Sequence, residues 1–199
     1  MRHLFLALGT LFVLGALQAQ QGVELEGRRC KETMEAIAVY TRQVTSIQCS
    51  FVQTKRSKML NNATTATGTM EYTAPDKLVW AYATPFKYVL NIDGNNVAVT
   101  GKGADNKGAN YQAKAMSRLI LGCVNGNQLF DERMFSYRIY DDGKKYAVAL
   151  VPKRKEMLRV FQEIVICFDK KSLVAESIVL KEGSGDSTSI RFENVKVKL

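Results

Sequence analysis

The chain has 199 residues, of which 46% are hydrophobic and 24% charged, with 28 Lys and Arg against 19 Asp and Glu. This composition is that of a folded globular protein, and it excludes disordered, collagen-like and coiled-coil chains. The length predicts a single domain whose core is large enough to fold without metals or disulfides.

The first 19 residues have the pattern of a secretory signal peptide. Arg2 precedes an apolar run from Leu4 to Leu17, and small and polar residues follow it. The run is too short to span a membrane as a helix, which takes roughly 20 apolar residues. We therefore expect cleavage after Ala19 and one domain over residues 20–199. An uncleaved N-terminal anchor is the alternative.

Cleavage there would remove His3, the only histidine of the chain. A mature chain without histidine excludes Ser-His-Asp and Cys-His catalysis and any metal site with histidine ligands. The first cysteine, Cys30, lies well beyond the cleavage point, so no lipid anchor is expected. The sequence thus predicts an exported protein that is not an enzyme and has neither a metal site nor a cofactor.

Removal of Arg2 leaves 27 basic and 19 acidic side chains, a net charge of +8. The basic residues are scattered, with no basic helix and no stacking aromatic motif, so nucleic acid is a poor partner. The charge is compatible with binding to anionic headgroups or to an acidic partner protein. Solvated surface is the simpler interpretation.

Four cysteines occur, and all of them follow the leader. An even number in an oxidising compartment is typical of one or two disulfides, but free buried thiols are equally compatible with the pattern. Three full pairings are open. The cysteines are Cys30, Cys49, Cys123 and Cys167.

Helical periodicity opens the domain, and strand periodicity follows. Apolar or weakly polar residues recur at helical spacing over Arg29 to Thr45, which predicts an amphipathic helix. From Ile47 towards Lys55 the period becomes two, as in a strand with one buried face. Four more strands are predicted before a polar loop, Gly101–Asn110, and they are Thr67–Thr73, Leu78–Thr84, Lys87–Ile92 and Asn96–Thr100.

Further helical and strand segments follow this loop, and no repeat is visible. A short helix is predicted at Gln112–Leu121, and another helical turn at Asn125–Arg133. Turn-forming residues such as Asp141-Asp142-Gly143 separate the strands that follow. These strands are Met134–Tyr140, Lys145–Val151, Val160–Phe168, Leu173–Lys181 and Thr188–Val197.

Ten successive strands joined by short turns predict a meander. A meander of this length curls into a barrel or half-barrel. We therefore expect a mainly β (α+β) fold, an unclosed antiparallel β-barrel of about ten to eleven strands. Its two amphipathic helices must bury their apolar faces, and the concave face of the sheet is the place for them, as a helical lid over an apolar seam.

A series of short motifs runs in one order along the domain. In the first half these are Ser50-Phe51-Val52-Gln53-Thr54, Gly68-Thr69-Met70-Glu71-Tyr72, Pro75, Leu78-Val79-Trp80-Ala81-Tyr82, Pro85 and Asp93-Gly94. In the second half they are Leu150-Val151-Pro152-Lys153, Ile164–Asp169 and Gly185-Asp186-Ser187-Thr188-Ser189-Ile190-Arg191-Phe192. From about Cys30 to Lys198, this order closely resembles the bacterial outer-membrane lipoprotein carrier family, LolA.

The resemblance implies a monomeric periplasmic chaperone that holds the acyl chains of lipoproteins in an apolar cavity. Such carriers receive lipoproteins from an ATP-driven inner-membrane ABC complex and pass them to an outer-membrane acceptor. Plain core packing is the alternative for each residue that the resemblance assigns to cavity or lid. These residues are Phe51, Leu78, Trp80, Tyr82 and Leu90 on strands, and Met34, Ile37, Val44, Met116, Leu119 and Ile120 on helices.

One position departs from the family pattern. Well-studied members have an Arg directly before the proline of the tryptophan motif, and it holds the lid closed; here that position is Ala74. Lys77 is a candidate substitute. The departure leaves open a second hypothesis, a binding or sensing module of the same fold for another lipid or amphiphile. A thiol- or Asp-based hydrolase is the third hypothesis, and the inventory of residues disfavours it.

Overall fold

The computed structural model describes residues 22–101, 120–121 and 129–199. The strands are β1 (Val23–Glu24), β2 (Ser46–Ser57), β3 (Asn62–Thr73), β4 (Lys77–Thr84), β5 (Tyr88–Asp93), β6 (Asn96–Gly101), β7 (Phe135–Asp141), β8 (Lys145–Pro152), β9 (Glu163–Asp169), β10 (Ala175–Lys181) and β11 (Ser187–Lys198). The helices are α1 (Gly27–Gln43) and α2 (Lys155–Leu158), and Ile120 and Leu121 are helical.

The eleven strands form one antiparallel sheet in the order β1-β7-β8-β9-β10-β11-β2-β3-β4-β5-β6. Within the described ranges its end strands, β1 and β6, do not pair with each other, so the sheet is not closed. This confirms the predicted mainly β fold with an open antiparallel sheet. The last strand, β11, lies in the middle of the sheet, where it joins β10 to β2.

The predicted opening helix is present, shifted two residues towards the N-terminus. It ends at Gln43 because the next residue, Val44, has extended backbone angles. Ile37 and Thr41 are buried on its inner face, and the Thr41 hydroxyl donates to the Ile37 carbonyl at 2.9 Å. Packing against the sheet fixes this helix, since Glu26 at its N-cap makes no side-chain capping bond.

All ten predicted strands are present, with some ends displaced. The strand predicted from Val160 begins at Glu163, because α2 and a turn occupy the residues before it. The strand predicted from Leu173 begins at Ala175, since Leu173 has a φ of 57° and belongs to the turn. Two elements were not predicted, the two-residue strand β1 and the four-residue helix α2.

Several predictions fall outside the described residues. These are the signal peptide and its cleavage point, the loop beyond Gly101, the second helix before Ile120 and the helical turn before residue 129. Among the described residues, no helix is long and apolar enough to cross a membrane.

Aromatic packing leaves no room for a side chain at Gly68. This residue lies opposite Phe51 in the β2–β3 pairing, next to a register shift between β3 and β4. A Cβ atom there would lie 2.6 Å from Cζ of Phe51 and 2.1 Å from the carbonyl oxygen of Ala81. Glycine is therefore required by close approach of a ring and a neighbouring backbone.

Replacing Gly68 should destabilise the fold by steric conflict alone. We expect Gly68→Ala to lower the free energy of unfolding by about 1–3 kcal/mol, measured by urea denaturation. Gly183→Ala is the matched control, since its Cβ would meet nothing closer than 3.6 Å. Its effect should stay within about 0.5 kcal/mol. Equal effects of the two substitutions would contradict this account.

Candidate functional site

Five aromatic side chains form one cluster on the inner face of the sheet. Phe51 of β2 stacks on Trp80 of β4 with ring centroids 4.2 Å apart, and Tyr82 meets Phe51 edge-on at 5.2 Å. Tyr88 stacks on Tyr82 at 4.3 Å, and Phe192 of β11 meets Trp80 at 6.3 Å. We call these five residues the aromatic cluster. They share a face because residues two apart along a strand point to the same side.

Hydroxyl and amide groups border the aromatic cluster, and none of them is charged. The Tyr82 hydroxyl donates to Oε1 of Gln53 at 2.7 Å. Burial raises the pKa of Tyr82 and of Tyr88, so both remain neutral phenols at physiological pH. The indole Nε1 of Trp80 is buried and forms no hydrogen bond with the described residues. The cluster is therefore an apolar wall with a few neutral polar atoms.

An apolar cavity of about 50 Å³ lies between α1 and the central strands. The carboxyl-terminal half of α1 and Ile120 lie on one side of it, and strands β2, β3, β9, β10 and β11 on the other. No lining residue is ionic. The lining residues are Tyr40, Thr41, Val44, Ile47, Cys49, Met70, Ile120, Ile166, Phe168, Leu173, Val174, Ala175, Ile178, Phe192, Val195 and Val197.

Two of the predicted cavity and lid residues, Val44 and Ile120, line this cavity. Six others are buried in the core without lining it: Ile37, Phe51, Leu78, Trp80, Tyr82 and Leu90. Met34 is half-buried against that core. Met116 and Leu119 lie outside the described residues. Phe192 is the link between the two regions, because it lines the cavity and contacts Trp80.

Strand β11 contributes cavity residues that strand periodicity alone would not place on one face. Phe192 and Val195 both line the cavity, although an odd separation of three residues would place them on opposite faces of a regular strand. The β11–β2 pairing shifts register between Glu193 and Lys196, and Asn194 has a φ of 55°. This bulge adds one residue and returns the following side chains to the cavity face.

The position of the family's lid arginine faces away from the cavity. Ala74 is exposed, and its backbone N–H donates to the carbonyl of Thr45 at 2.9 Å. Lys77, the candidate substitute, pairs instead with Asp93 at 3.4 Å on the exposed face of the sheet. Lys77 therefore cannot hold α1, because its side chain points away from the helix.

Other contacts hold α1 against the sheet. The Tyr137 hydroxyl donates to Sδ of Met34 at 2.9 Å. Arg29 lies 3.5 Å from Asp141, a largely buried carboxylate that also binds Lys170 at 2.7 Å. Hydrogen bonding from Lys170 lowers the pKa of Asp141, so this carboxylate stays ionised at neutral pH.

The three described cysteines are free thiols, and the fourth, Cys123, lies outside the described residues. Burial raises the pKa of Cys30 and of Cys167, and it raises the pKa of Cys49 to about 12. Cys49 lines the cavity as a neutral, apolar group. Across the described ranges no three His, Cys, Asp or Glu side chains group as metal ligands.

Comparison with known proteins gives a family match over most of the chain. The family model described as "Outer membrane lipoprotein carrier protein LolA" matches residues 42–199. Two proteins named outer-membrane lipoprotein carrier protein, from Neisseria meningitidis serogroup C / serotype 2a and serogroup A / serotype 4A, are each 26% identical over 162 residues. The match covers 80% of this chain and 74% of each relative.

Comparison with solved structures gives matches of low identity, and one of them shows a shared fold. The crystal structure of MucB is 11% identical with a TM-score of 0.51, and the match covers 84% of this chain and 58% of that one. This chain thus spans less than two thirds of MucB. The LolA superfamily protein NE2245 from Nitrosomonas europaea is 7% identical with a TM-score of 0.41, covering 85% and 94% of the two chains.

Cys49 should make stability fall at alkaline pH. Its folded pKa is raised above the ordinary value of 9.0, so the unfolded chain releases the thiol proton first, and the free energy of unfolding falls from about pH 9 to about pH 12. The loss attributable to Cys49 approaches about 1.4 kcal/mol per pH unit. Urea denaturation of wild type and Cys49→Val, followed by circular dichroism, measures it. The two curves should run parallel below pH 8 and diverge above about pH 9; parallel curves throughout would contradict the assignment.

Proposed function

We propose that this chain, which belongs to the LolA family of outer-membrane lipoprotein carrier proteins, shields the acyl chains of lipoproteins in the space between α1 and the open sheet. Family proteins are periplasmic carriers or binders, not enzymes. Beyond that family role, we propose that the protein carries its cargo from the inner to the outer membrane, receiving it from an ABC complex and delivering it to an acceptor.

The observation that carries the proposal is the uncharged cavity beneath α1. At about 50 Å³ it admits a few water-sized groups and is too small for an acyl chain. We therefore propose that cargo binding moves α1 away from the sheet and enlarges this space. An acyl chain that has left its membrane must be buried again in an apolar site. Burial stabilises such a chain by roughly 0.8 kcal/mol per methylene, or on the order of 12 kcal/mol for about fifteen methylenes.

The contacts of α1 are compatible with such a movement. One hydroxyl–thioether hydrogen bond from Tyr137 to Met34, and one ion pair between the exposed Arg29 and the largely buried Asp141, join the helix to β7. Because the Arg29 side chain is 70% exposed and lies 3.5 Å from the carboxylate, this pair is a weak restraint on the helix. Apolar packing of Ile37, and of Val44 directly after the helix, supplies most of the closing force, and an entering acyl chain would replace those same contacts. The lid can therefore exchange one apolar partner for another.

The predicted leader over residues 1–19 fits this assignment, since a carrier between two membranes must be exported. Cleavage after Ala19 and the absence of a lipid anchor remain part of the proposal. We also propose that the protein is a monomer, so that each chain binds cargo in its own cavity.

A second candidate function is that of a binding or sensing module for another amphiphile. It is favoured by Ala74, because the contact that closes the lid in well-studied family members is absent here. In this case the same cavity would take a free lipid or glycolipid rather than the acyl chains of a protein.

The first test is capture of the cargo. The protein would be expressed in the periplasm of its host, purified without detergent and examined by mass spectrometry for bound lipoproteins and lipids. We expect acylated lipoproteins at near-stoichiometric amounts. Free lipid without lipoprotein would favour the second candidate, and an empty protein that also fails to bind added lipoprotein would contradict both.

The second test fills the cavity with a larger side chain. Ala175→Leu places extra carbon atoms among the lining residues and should weaken binding of a fluorescent fatty acid about tenfold, because the chain and the new side chain compete for one space. Binding would be measured by fluorescence titration. Ala63→Leu, on an exposed position of β3, is the matched control and should bind as wild type. Unchanged binding by a folded Ala175→Leu variant would place the acyl site elsewhere.

A further inference from the structure

One end of the sheet exposes large apolar side chains. The β2–β3 hairpin turns at this end, and its tip carries Met59 and Leu60, which are 92% and 68% exposed. Helix α2 connects β8 to β9 at the same end and leaves Leu158 38% exposed. Adjacent apolar side chains held in water at the tip of a hairpin are typical of a surface that meets an apolar partner.

Strand register places these connections at the same end of the sheet. Ser187 of β11 pairs with Arg56 of β2, and Lys181 of β10 pairs with Glu163 of β9. The hairpin tip, the β10–β11 turn and the segment before β9 therefore lie at one level. At about 4.8 Å per strand, β2 and β8 are roughly 19 Å apart along the sheet. We call residues 56–61, 153–159 and 182–186 the hairpin rim.

Exposed charges on the hairpin rim are mostly positive. The exposed cations are Arg56, Lys58, Lys153, Arg154, Lys155 and Arg159. Glu156 is the exposed carboxylate among them. Two further carboxylates are engaged within the rim: Glu182 pairs with Lys55 at 3.3 Å, and Asp186 accepts the backbone N–H of Lys58 at 2.9 Å. The rim thus combines apolar side chains with a surplus of exposed positive charge.

We propose that the hairpin rim docks on a membrane surface that contains anionic lipids. Met59 and Leu60 enter the boundary between headgroups and acyl chains, and the surrounding cations contact lipid phosphates. A membrane suits this arrangement better than a protein, because short apolar tips spaced along an edge need no complementary pocket. The inference does not depend on the cargo, since the cavity and the rim share no residue.

The opposite end of the sheet provides a matched control. Val23 of β1 and Leu199, next to the end of β11, are 72% and 66% exposed, much like the hairpin tip. β1 pairs at the far end of β7, at Tyr140 and Asp141, and Lys198 pairs with Ser46 at the start of β2. These side chains would face away from a membrane that is bound at the hairpin rim.

The test is flotation of the purified protein, its N-terminus verified by mass spectrometry, with phospholipid vesicles. Wild type should bind vesicles of phosphatidylethanolamine and phosphatidylglycerol, bind phosphatidylcholine vesicles more weakly, and dissociate as salt rises. The double variant Met59→Ser/Leu60→Ser should bind about tenfold more weakly, while Val23→Ser/Leu199→Ser should bind as wild type. No binding by wild type, or equal loss in both double variants, would overturn the proposal.

A depth measurement checks the orientation independently of affinity. Tryptophan placed by Met59→Trp should be quenched by lipids with brominated chains, whereas tryptophan placed by Val23→Trp should not. Trp80 is 1% exposed and supplies a constant background in both proteins. Equal quenching at the two positions would overturn the docking geometry even if the vesicles bind protein.

Discussion

The apolar inner face of an open sheet is the constraint on which the rest of the structure depends. A closed barrel covers its own interior, but this sheet ends at β1 and β6 and must be covered by other elements. Helix α1 and the residue after it provide that cover with Ile37 and Val44, both buried. Because the cover is a separate element held mostly by apolar packing, it can be exchanged for another apolar body. In the proposed function, the surface that α1 buries in this structure is the surface that the cargo would contact.

Strand periodicity in the sequence was enough to predict most of the fold. The alternation of Cys49 and Phe51 with polar neighbours predicts β2, and turn chemistry separates the later strands; Asp142, for instance, accepts the backbone N–H groups of Lys144 and Lys145. β1 carries no such signal, because two residues cannot show a period and pairing with β7 alone makes them a strand. Helix α2 has only four residues, too few to show a helical period, and it forms in the connection between β8 and β9.

The site could be predicted only in part. Trp80, one of the aromatic residues expected at the cavity, does not line it, and Phe192 joins the two regions because it lines the cavity and contacts Trp80. The bulge at Asn194 is one feature that periodicity misses, because it brings Phe192 and Val195, three residues apart on β11, to the same cavity. A period count along the sequence assumes a regular strand. Such a count cannot locate a bulge, because the extra residue shows only in the pairing of β11 with β2.

The central position of β11 has a consequence for how the chain acquires its structure. Strands β2–β6 and β7–β10 are each local meanders, and β11 alone joins them through its pairings with β10 and β2. Until that last strand arrives, each half keeps an unpaired edge and an uncovered apolar face. Closing the seam also requires contact between residues far apart in sequence, such as Phe51 and Phe192, which is a slow step in folding. During synthesis these unpaired edges and apolar faces would therefore persist until β11 is available to pair, and exposed surfaces of this kind promote aggregation.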